Sequence, residues 1–398
     1  MMPADIPKAP HPPLWRLRQV DEEAAERLSG TGLPRLIARL LALRGVSAER
    51  VREFLVPRLS TLGDPFDLPE MRALVDRLLQ AVDRGEKVLL YGDYDVDGVT
   101  SMSLLHEVLQ AYGLDAHPYL PHRLAEGYGL SFDGLSNAFE KFGKPDLVAA
   151  LDCGTTSLAE VAWLKAQGVD CVIIDHHELS PDGRPDCLAL VNPRLGASHH
   201  YLCTVGLVFK VAHALLKSRP RENFDLKTCL DLVALGTVAD LVPLVEENRL
   251  LVRRGLEALA ETPRAGLRAL KQVAGVDGLV QTSHVGFRLS PSLNAAGRLD
   301  TAFTALNLLL CQDQEEAELL ASQLDLHNRE RQGVEQRVFD EALQALGDLA
   351  EVEKRATIVL GSRAWHPGVI GIVASRISRM FHRPTILVAI DENGMGKG

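Results

Sequence analysis

The sequence predicts an α/β protein: helices first, then a mainly parallel sheet, then a long helix leading to a second, smaller α/β region. Three observations carry this. Apolar, strand-like bursts alternate with helix-length segments, the pattern of successive βαβ units. Three of those bursts end in carboxylates: Asp93, Asp95 and Asp97, then Asp152, then Asp175. A long polar run with sparse apolar positions follows residue 312, which suits a helix bridging two domains.

The elements follow in order. Residues 1–15 (MMPADIPKAPHPPLW) are Pro-rich, lack an apolar signal core and read as a loose arm. From Pro34 to about Leu79 the pattern is helical and amphipathic, with Leu36, Leu40, Leu41, Val51, Phe54 and Leu55 on the apolar side. Strands are expected in KVLLYGDYD from Lys87, DLVAALDCG from Asp146, CVIIDHH from Cys171 and LALVNPR from Leu188. SMSLLHEVLQAYG and SLAEVAWLKAQG between them have helical spacing and a Gly stop. In LDLVALGTVADLVPL an amphipathic helix ends near Gly236, and the chain turns past Ala239-Asp240 before Pro243. Leu320, Leu324, Val334, Val338 and Phe339 mark the long helix from about Gln312 to Leu346, whose HNRERQ stretch is polar all round. Beyond it come a strand (ATIVL), a loop becoming a helix (WHPGVIGIVASRISRMF) and another strand (PTILVAI). The sequence ends at Gly398 inside MGKG, so this last region is expected to be incomplete. The resulting division is an arm and helical region over 1–80, a catalytic domain over 81–311, a connecting helix over 312–347 and the second domain from 348 to 398.

Composition bounds the functional classes. With 398 residues, 46% hydrophobic and 24% charged, the chain is an ordinary globular protein long enough for two domains. A net charge of -10 argues against nonspecific polyanion binding over the whole surface but allows a local basic groove. The six cysteines form no CxxC pair, so neither a zinc site nor a disulfide framework is suggested, and reduced thiols in a cytoplasmic protein fit best. Asp240 interrupts the longest apolar candidate, Leu232 to Val245, so no membrane partner is expected.

The chemistry lies in the acids. Ligands of open parallel sheets bind outside the carboxyl ends of the strands, so the acids at those ends should converge. Any one of them could be a helix N-cap, Asp152 before Gly154-Thr155-Thr156 in particular. All being caps, with His176 and His177 added, is a poorer account, because buried unpaired carboxylates cost several kcal/mol. Carboxylates with one or two imidazoles suit Mn2+ or Mg2+. A cluster of this size can hold two ions about 4 Å apart, an arrangement that hydrolyses phosphoesters.

YGDYDVDGVTS, LDCG, DHH and GTVADLVPL are similar to the four motifs of the DHH phosphoesterase superfamily. PHRLAEGYGLS, SPSLNAAGRL, NRERQ and WHPGVIGIVASRI resemble the elements of the bacterial RecJ family of single-strand exonucleases, over roughly residues 34–398. The resemblance implies a DHH domain, a DHHA1-like second domain, and two-metal 5′-to-3′ hydrolysis of single-stranded DNA to 5′-mononucleotides in recombination and repair. It places Asp95, Asp97, Asp152, His176 and Asp240 on metal positions, with Asp152 bridging and Asp93 near or on one ion. His177 is implied at the scissile phosphate, with Asp175 orienting a neighbouring His. Pyrophosphatase relatives carry a metal-binding His where this chain has Tyr91, so one metal must be held differently here. Arg123, Arg298, Asn294 and His366 are candidates for the DNA, His366 equally for capping the following helix; Trp365 is expected to pack. Arg253, Arg254, Lys271, Arg288, Arg329 and Arg331 could line a strand groove, though charges like these are mostly solvated. The family's glycine-rich Ser-Arg motif and OB-like domain lie past Gly398, so this chain is expected to keep its metal centre and bind DNA poorly. Single-strand binding protein and a helicase are partners by resemblance only. The alternative is a DHH phosphodiesterase for short oligonucleotides or cyclic dinucleotides, which tend to lack the N-terminal helices and the PHR element. A further alternative is a scaffold with a dead metal site, against which the filled metal positions speak.

Overall fold

Five parallel strands form the larger sheet, in the order β2-β1-β3-β4-β5. They are β1 (Val88–Gly92), β2 (Ala116–Tyr119), β3 (Leu147–Leu151), β4 (Asp170–Ile174) and β5 (Ala189–Val191). The computed structural model describes residues 15–122, 126–127, 129–299, 302–347, 352 and 355–398, without the side chains of 296, 298 and 299. Two compact units are distinguished: residues 1–62 with 346–359 and 374–386, and residues 63–345 with 360–373 and 387–398.

In the first unit, α1 (Glu22–Ser29), α2 (Arg35–Ala42) and α3 (Val51–Leu55) close around Leu28, Ala38, Leu41 and Val51. Asp21 caps α1 by accepting from the Ala24 N–H at 3.0 Å. The helical pattern from Pro34 to Leu79 is thus not one element. Pro57 forces Val56 out of the helical region, ending α3, and α4 (Met71–Arg84) starts afresh after Pro65 and Pro69 in the second unit.

The larger sheet belongs to that second unit. β1, β3 and β4 are apolar and buried almost throughout, as strands covered on both faces must be. Several elements escape sequence reading, β2 and α6 among them. β2 (AHPY) lacks an apolar run, and its Pro118 is tolerated because β2 is an edge strand. α6 (Phe132–Phe142) begins at Ser131, whose hydroxyl caps the Gly134 N–H at 3.1 Å. α5 (Val96–Ala111) starts five residues before the expected SMSLL segment, at the N-cap Asp95. α7 (Leu158–Ala166) follows β3, and α8 (Thr204–Ser218) follows β5. α9 (Leu230–Ala239) runs past Gly236 and is not amphipathic: Leu230 through Val238 are all buried, because α5, α8 and α10 (Glu246–Ala260) surround it.

A π-helical turn (Val285–Leu289) leads into the helix Ser290–Leu299. The wide turn accommodates Pro291, whose ring would clash with the carbonyl four residues back in a regular α-helix. The long helix spans Gln314–Leu346. Its HNRERQ stretch is polar in type but not exposed all round: Asn328 and Arg331 are each 8% exposed. Arg331 donates to Asn328 Oδ1 at 3.0 Å and to Glu335 at 2.8 Å, while Asn328 faces Ser292 Oγ at 3.4 Å. β6 (Ile358–Ser362), β7 (Thr385–Ile390) and β8 (Gly396–Lys397) form a second sheet in that order. β8 was not expected within MGKG; it pairs antiparallel with β7.

α8 is anchored by a buried charge. Lys210 is fully buried and donates to Glu247 at 2.9 and 3.1 Å and to the Gly63 carbonyl at 3.0 Å. Removing one partner of a buried pair typically costs 3–5 kcal/mol. Lys210→Met is therefore expected to lower the unfolding free energy by about 3 kcal/mol in urea titrations, and Lys210→Met/Glu247→Leu to recover most of it. A neutral single variant would contradict the anchor.

Candidate metal centre

Strand register builds the centre. Gly92 pairs with Leu151, and Leu151 with Ile174. The ladder continues one residue further: Asp93 N–H donates to the Leu151 carbonyl, Asp152 to Ile174 and Asp175 to Val191, at 3.0–3.2 Å. Asp93, Asp152, Asp175 and Asn192 therefore stand in one row at the carboxyl edge, with neighbours about 4.8 Å apart. The strand order reverses between β1 and β3, where such sheets open a crevice. The start of α5 adds Asp95 and Asp97, the end of α9 adds Asp240, and the chain beyond β4 adds His176 and His177.

Asp152 is the middle of the cluster. Its φ of +61° is left-handed, which costs a non-glycine residue about 1–2 kcal/mol. It does not cap α7, whose N-cap is Ser157. Its Oδ1 accepts from the Thr204 hydroxyl at 2.7 Å. His176 Nε2 lies 3.5 Å from Asp152 Oδ1, 3.6 Å from Asp240 Oδ2 and 3.9 Å from Asp97 Oδ2. Those spacings are too long for hydrogen bonds and suit atoms converging on a shared ion. Asp240 Oδ2 is buried without a hydrogen-bond partner among the described residues, as a ligand oxygen would be.

Asp97 sits on the N-terminus of α8, its two oxygens taking the N–H groups of Thr204 and Val205 at 2.7 and 2.8 Å. Gly236 makes this possible: a Cβ there would overlap Thr100 Oγ1 and lie 2.8 Å from Val205 Cγ1 and 3.2 Å from Asp97 Oδ1. Asp95 spends one oxygen capping α5 through the Gly98 N–H at 3.1 Å, so capping and cluster membership coexist. Among the described residues, three sets have ligand atoms within 4.8 Å of one another: Asp93, Asp95 and Asp152; Asp152, His176 and His177; and Asp97, Cys203 and Asp240. Asp152 is common to two of them.

The DHH turn is pinned separately. Asp175 Oδ1 pairs with His177 Nδ1 at 2.7 Å and accepts the His176 and His177 N–H groups, while Oδ2 takes the Thr155 N–H. Asn192 Nδ2 donates to the His177 carbonyl and to Thr155 Oγ1. Burial pushes the Asp175 carboxyl up, but the His177 and Thr155 bonds outweigh it and hold it at about 2. The bond to Asp175 raises His177 to about 9 against its burial. His176 falls to about 4 through burial and the neighbouring His177. Asp97 rises to about 8 through burial and then Asp240 and Asp95, and Asp240 to about 6 through burial and then Asp95. Asp152 is pushed well up by burial and by Asp97.

The DNA candidates are less assembled. Arg123 lies outside the described residues, as does the Arg298 side chain. Asn294 is half-buried on the helix Ser290–Leu299. That helix crosses close to the metal loop, since a Cβ at Gly297 would lie 3.1 Å from the Tyr94 carbonyl. His366 Nδ1 accepts the Gly368 N–H at 3.0 Å, a local turn ahead of the helix Ile370–Phe381. Trp365 is buried and donates to Glu341 at 2.9 Å. The basic residues have local partners: Arg253 and Arg254 with Glu257, Arg329 with Asp325, Arg331 with Glu335, and Lys271 and Arg288 with backbone carbonyls. Tyr91 is buried, its hydroxyl donating to the Gly129 carbonyl at 3.2 Å. Sequence reasoning missed Thr204, Thr155, Asn192 and Cys203, which reach the acids only through the fold.

The carboxyl shifts fix a pH dependence. Between about pH 4, where the unfolded chain ionises, and pH 6 to 8 for Asp240 and Asp97, the metal-free fold binds more protons, so stability falls as pH rises. His177 adds the same sign: its contribution is complete below its unfolded value of ~6.5 and is lost as pH rises through about 9. Asp175 and His176 act oppositely. Asp175 contributes above ~4 and loses its contribution as pH falls through about 2. His176, held neutral by the fold, costs stability as pH falls from ~6.5 towards about 4, a smaller effect over the interval below than the acids and His177 together. The metal-free Tm should be lower at pH 8 than at pH 5.5, with Asp152→Asn flattening the slope. Thermal melts showing a rise over that interval would contradict this.

Comparison with known proteins places this geometry. Residues 87–237 match the DHH family, N-terminal domain. The chain is 39% identical over 391 residues to the single-stranded-DNA-specific exonuclease RecJ of Bacillus subtilis, covering 96% of this chain and 48% of that protein. It is 38% identical to RecJ of Salmonella typhimurium, covering 96% of this chain and 68% of that one. The crystal structure of RecJ in complex with Mn2+ from Thermus thermophilus superposes with a TM-score of 0.80 at 32% identity, covering 94% of this chain and 53% of that chain. The chain thus spans about half the length of the Bacillus relative and two thirds of the Salmonella one. On this identity and coverage, with the acidic row at the strand ends, the chain belongs to the RecJ family.

Proposed function

We propose that the chain is the nuclease part of a single-stranded-DNA-specific exonuclease that degrades its substrate 5′ to 3′ to 5′-mononucleotides with two Mn2+ or Mg2+ ions. The observation that carries this is Asp152, which converges with Asp93 and Asp95 on one side and, on the other, lies 3.5 Å from the His176 Nε2 that also faces Asp97 and Asp240. Asp93, Asp95 and Asp152 would hold one cation, and Asp97, Asp152, His176 and Asp240 the other. When bound, the pair supplies the positive charge that promotes attack of water on a phosphodiester and steadies the leaving oxygen.

The chain's own groups do the rest. With its pKa near 9, His177 is charged at neutral pH, and its side chain is 43% exposed. It can neutralise the scissile phosphate or give it a proton, while Asp175 holds the ring in orientation. His176, at about 4, stays neutral and offers Nε2 as a ligand. Asn294, Arg298 and Arg123 remain candidates for the DNA backbone. His366 is likewise proposed as a contact to the nucleotide, with capping of the following helix as the alternative.

Domains are proposed as set out from the sequence, with catalysis within 81–311. Single-strand binding protein and a helicase are proposed partners, and the cytoplasm the proposed compartment; none of the described helices is long and apolar enough to cross a membrane.

The test is digestion of a 5′-phosphorylated, 3′-labelled DNA strand with Mn2+, beside blunt duplex and a cyclic dinucleotide. Progressive shortening from the 5′ end with duplex spared is expected. Cleavage of the cyclic substrate alone, or equal cleavage of duplex and single strand, contradicts the reading. Asp152→Ala should abolish cleavage with an unchanged circular dichroism spectrum, and His177→Gln should lower kcat by roughly a hundredfold or more.

A further inference from the structure

We propose that Thr204 is a positioning residue for the metal centre: its hydroxyl fixes which oxygen of Asp152 faces Asp97, His176 and Asp240, and thereby sets that carboxylate as the bridge between two cations. The inference rests on the two-cation reading above and assigns a part to a residue outside every metal or phosphate motif.

The geometry is specific. Thr204 is fully buried at the first position of α8. Its backbone N–H donates to Asp97 Oδ2 and its hydroxyl to Asp152 Oδ1, both at 2.7 Å. One residue therefore ties together carboxylates from the start of α5 and the end of β3. Among the described residues, no other side chain donates to Asp152. The Oδ1 that takes the hydroxyl is also the atom 3.5 Å from His176 Nε2. Asp152 also belongs to the set with Asp93 and Asp95. A carboxylate can turn about its terminal torsion, which is broad and roughly two-fold. A single short bond to one oxygen removes that freedom.

The bond is held from outside the site. α8 cannot slide to follow Asp152, because Lys210 on the same helix is locked to Glu247 and Gly63. Thr204 Oγ1 also has a purely local alternative in a helix's first turn, yet it points at Asp152 instead. Hydrogen-bonding partners of metal ligands typically alter metal affinity or activity 10–100-fold when removed.

The experiment compares the full chain with its Thr204→Val and Thr204→Ser variants by calorimetric titration with MnCl2, with metal-free melts and single-strand kinetics alongside. Thr204→Val keeps the shape and both backbone N–H bonds to Asp97, and loses only the hydroxyl. The wild-type chain should bind two Mn2+. Thr204→Val should weaken the second binding step about 10–100-fold and lower kcat, with KM for DNA unchanged. Thr204→Ser should restore both. If Thr204→Val does not fold, Thr204→Ala removes the same hydroxyl and takes its place. Wild-type Mn2+ affinity in the hydroxyl-less variant, or a Thr204→Ser as weak as it, overturns the assignment while leaving the two-cation reading intact. A wild-type chain that binds fewer than two Mn2+ overturns that reading, and this inference with it.

Discussion

Like charges held a few ångströms apart at the edge of a parallel sheet are the constraint on which the rest of this structure depends. Pairing of β1 with β3, and of β3 with β4, puts Asp93, Asp152 and Asp175 in one row. The register is held because a slip would carry one of these carboxylates off the strand-end row and in among buried apolar side chains. Two unit charges 4 Å apart repel by about 4 kcal/mol at an effective dielectric of 20. The N-terminus of α8 under Asp97 offsets at most about 2 kcal/mol. The fold alone thus falls short of neutralising its own centre. Proton uptake by Asp97, Asp152 and Asp240 is its response without metal, and divalent cations are the response the ligand geometry accommodates.

Asp175 shows how the same row is divided. It is as buried as Asp152 and one strand away. Yet it has His177 and three backbone N–H groups, while Asp152 has one hydroxyl. One acid is therefore satisfied and anionic, and the other is left needing a cation. The difference comes from the turn after β4, where Asn192 clamps the His177 carbonyl and Thr155. The left-handed backbone at Asp152 is strain held at the same site.

Much of this was legible in the sequence. Four of the five strands of the main sheet could be read from apolar runs, and the convergence of their acids from parallel-sheet logic. β2 was not legible, because an edge strand needs no apolar run and tolerates Pro118. The all-round burial of α9 is not legible where the sequence reads as an amphipathic helix, since periodicity does not report how many neighbours a helix has. HNRERQ reads as polar all round from its residue types, whereas Asn328 and Arg331 satisfy each other under cover. Thr204 and Asn192 carried no signal, because a lone Thr or Asn acquires meaning only from the acid the fold sets beside it.

The most direct measurement is anomalous diffraction from crystals of this chain soaked in MnCl2. Two manganese peaks about 4 Å apart are expected, both within bonding distance of Asp152, one towards Asp93 and Asp95 and the other towards Asp97, His176 and Asp240. A single peak, or two peaks that do not share Asp152, would contradict this arrangement.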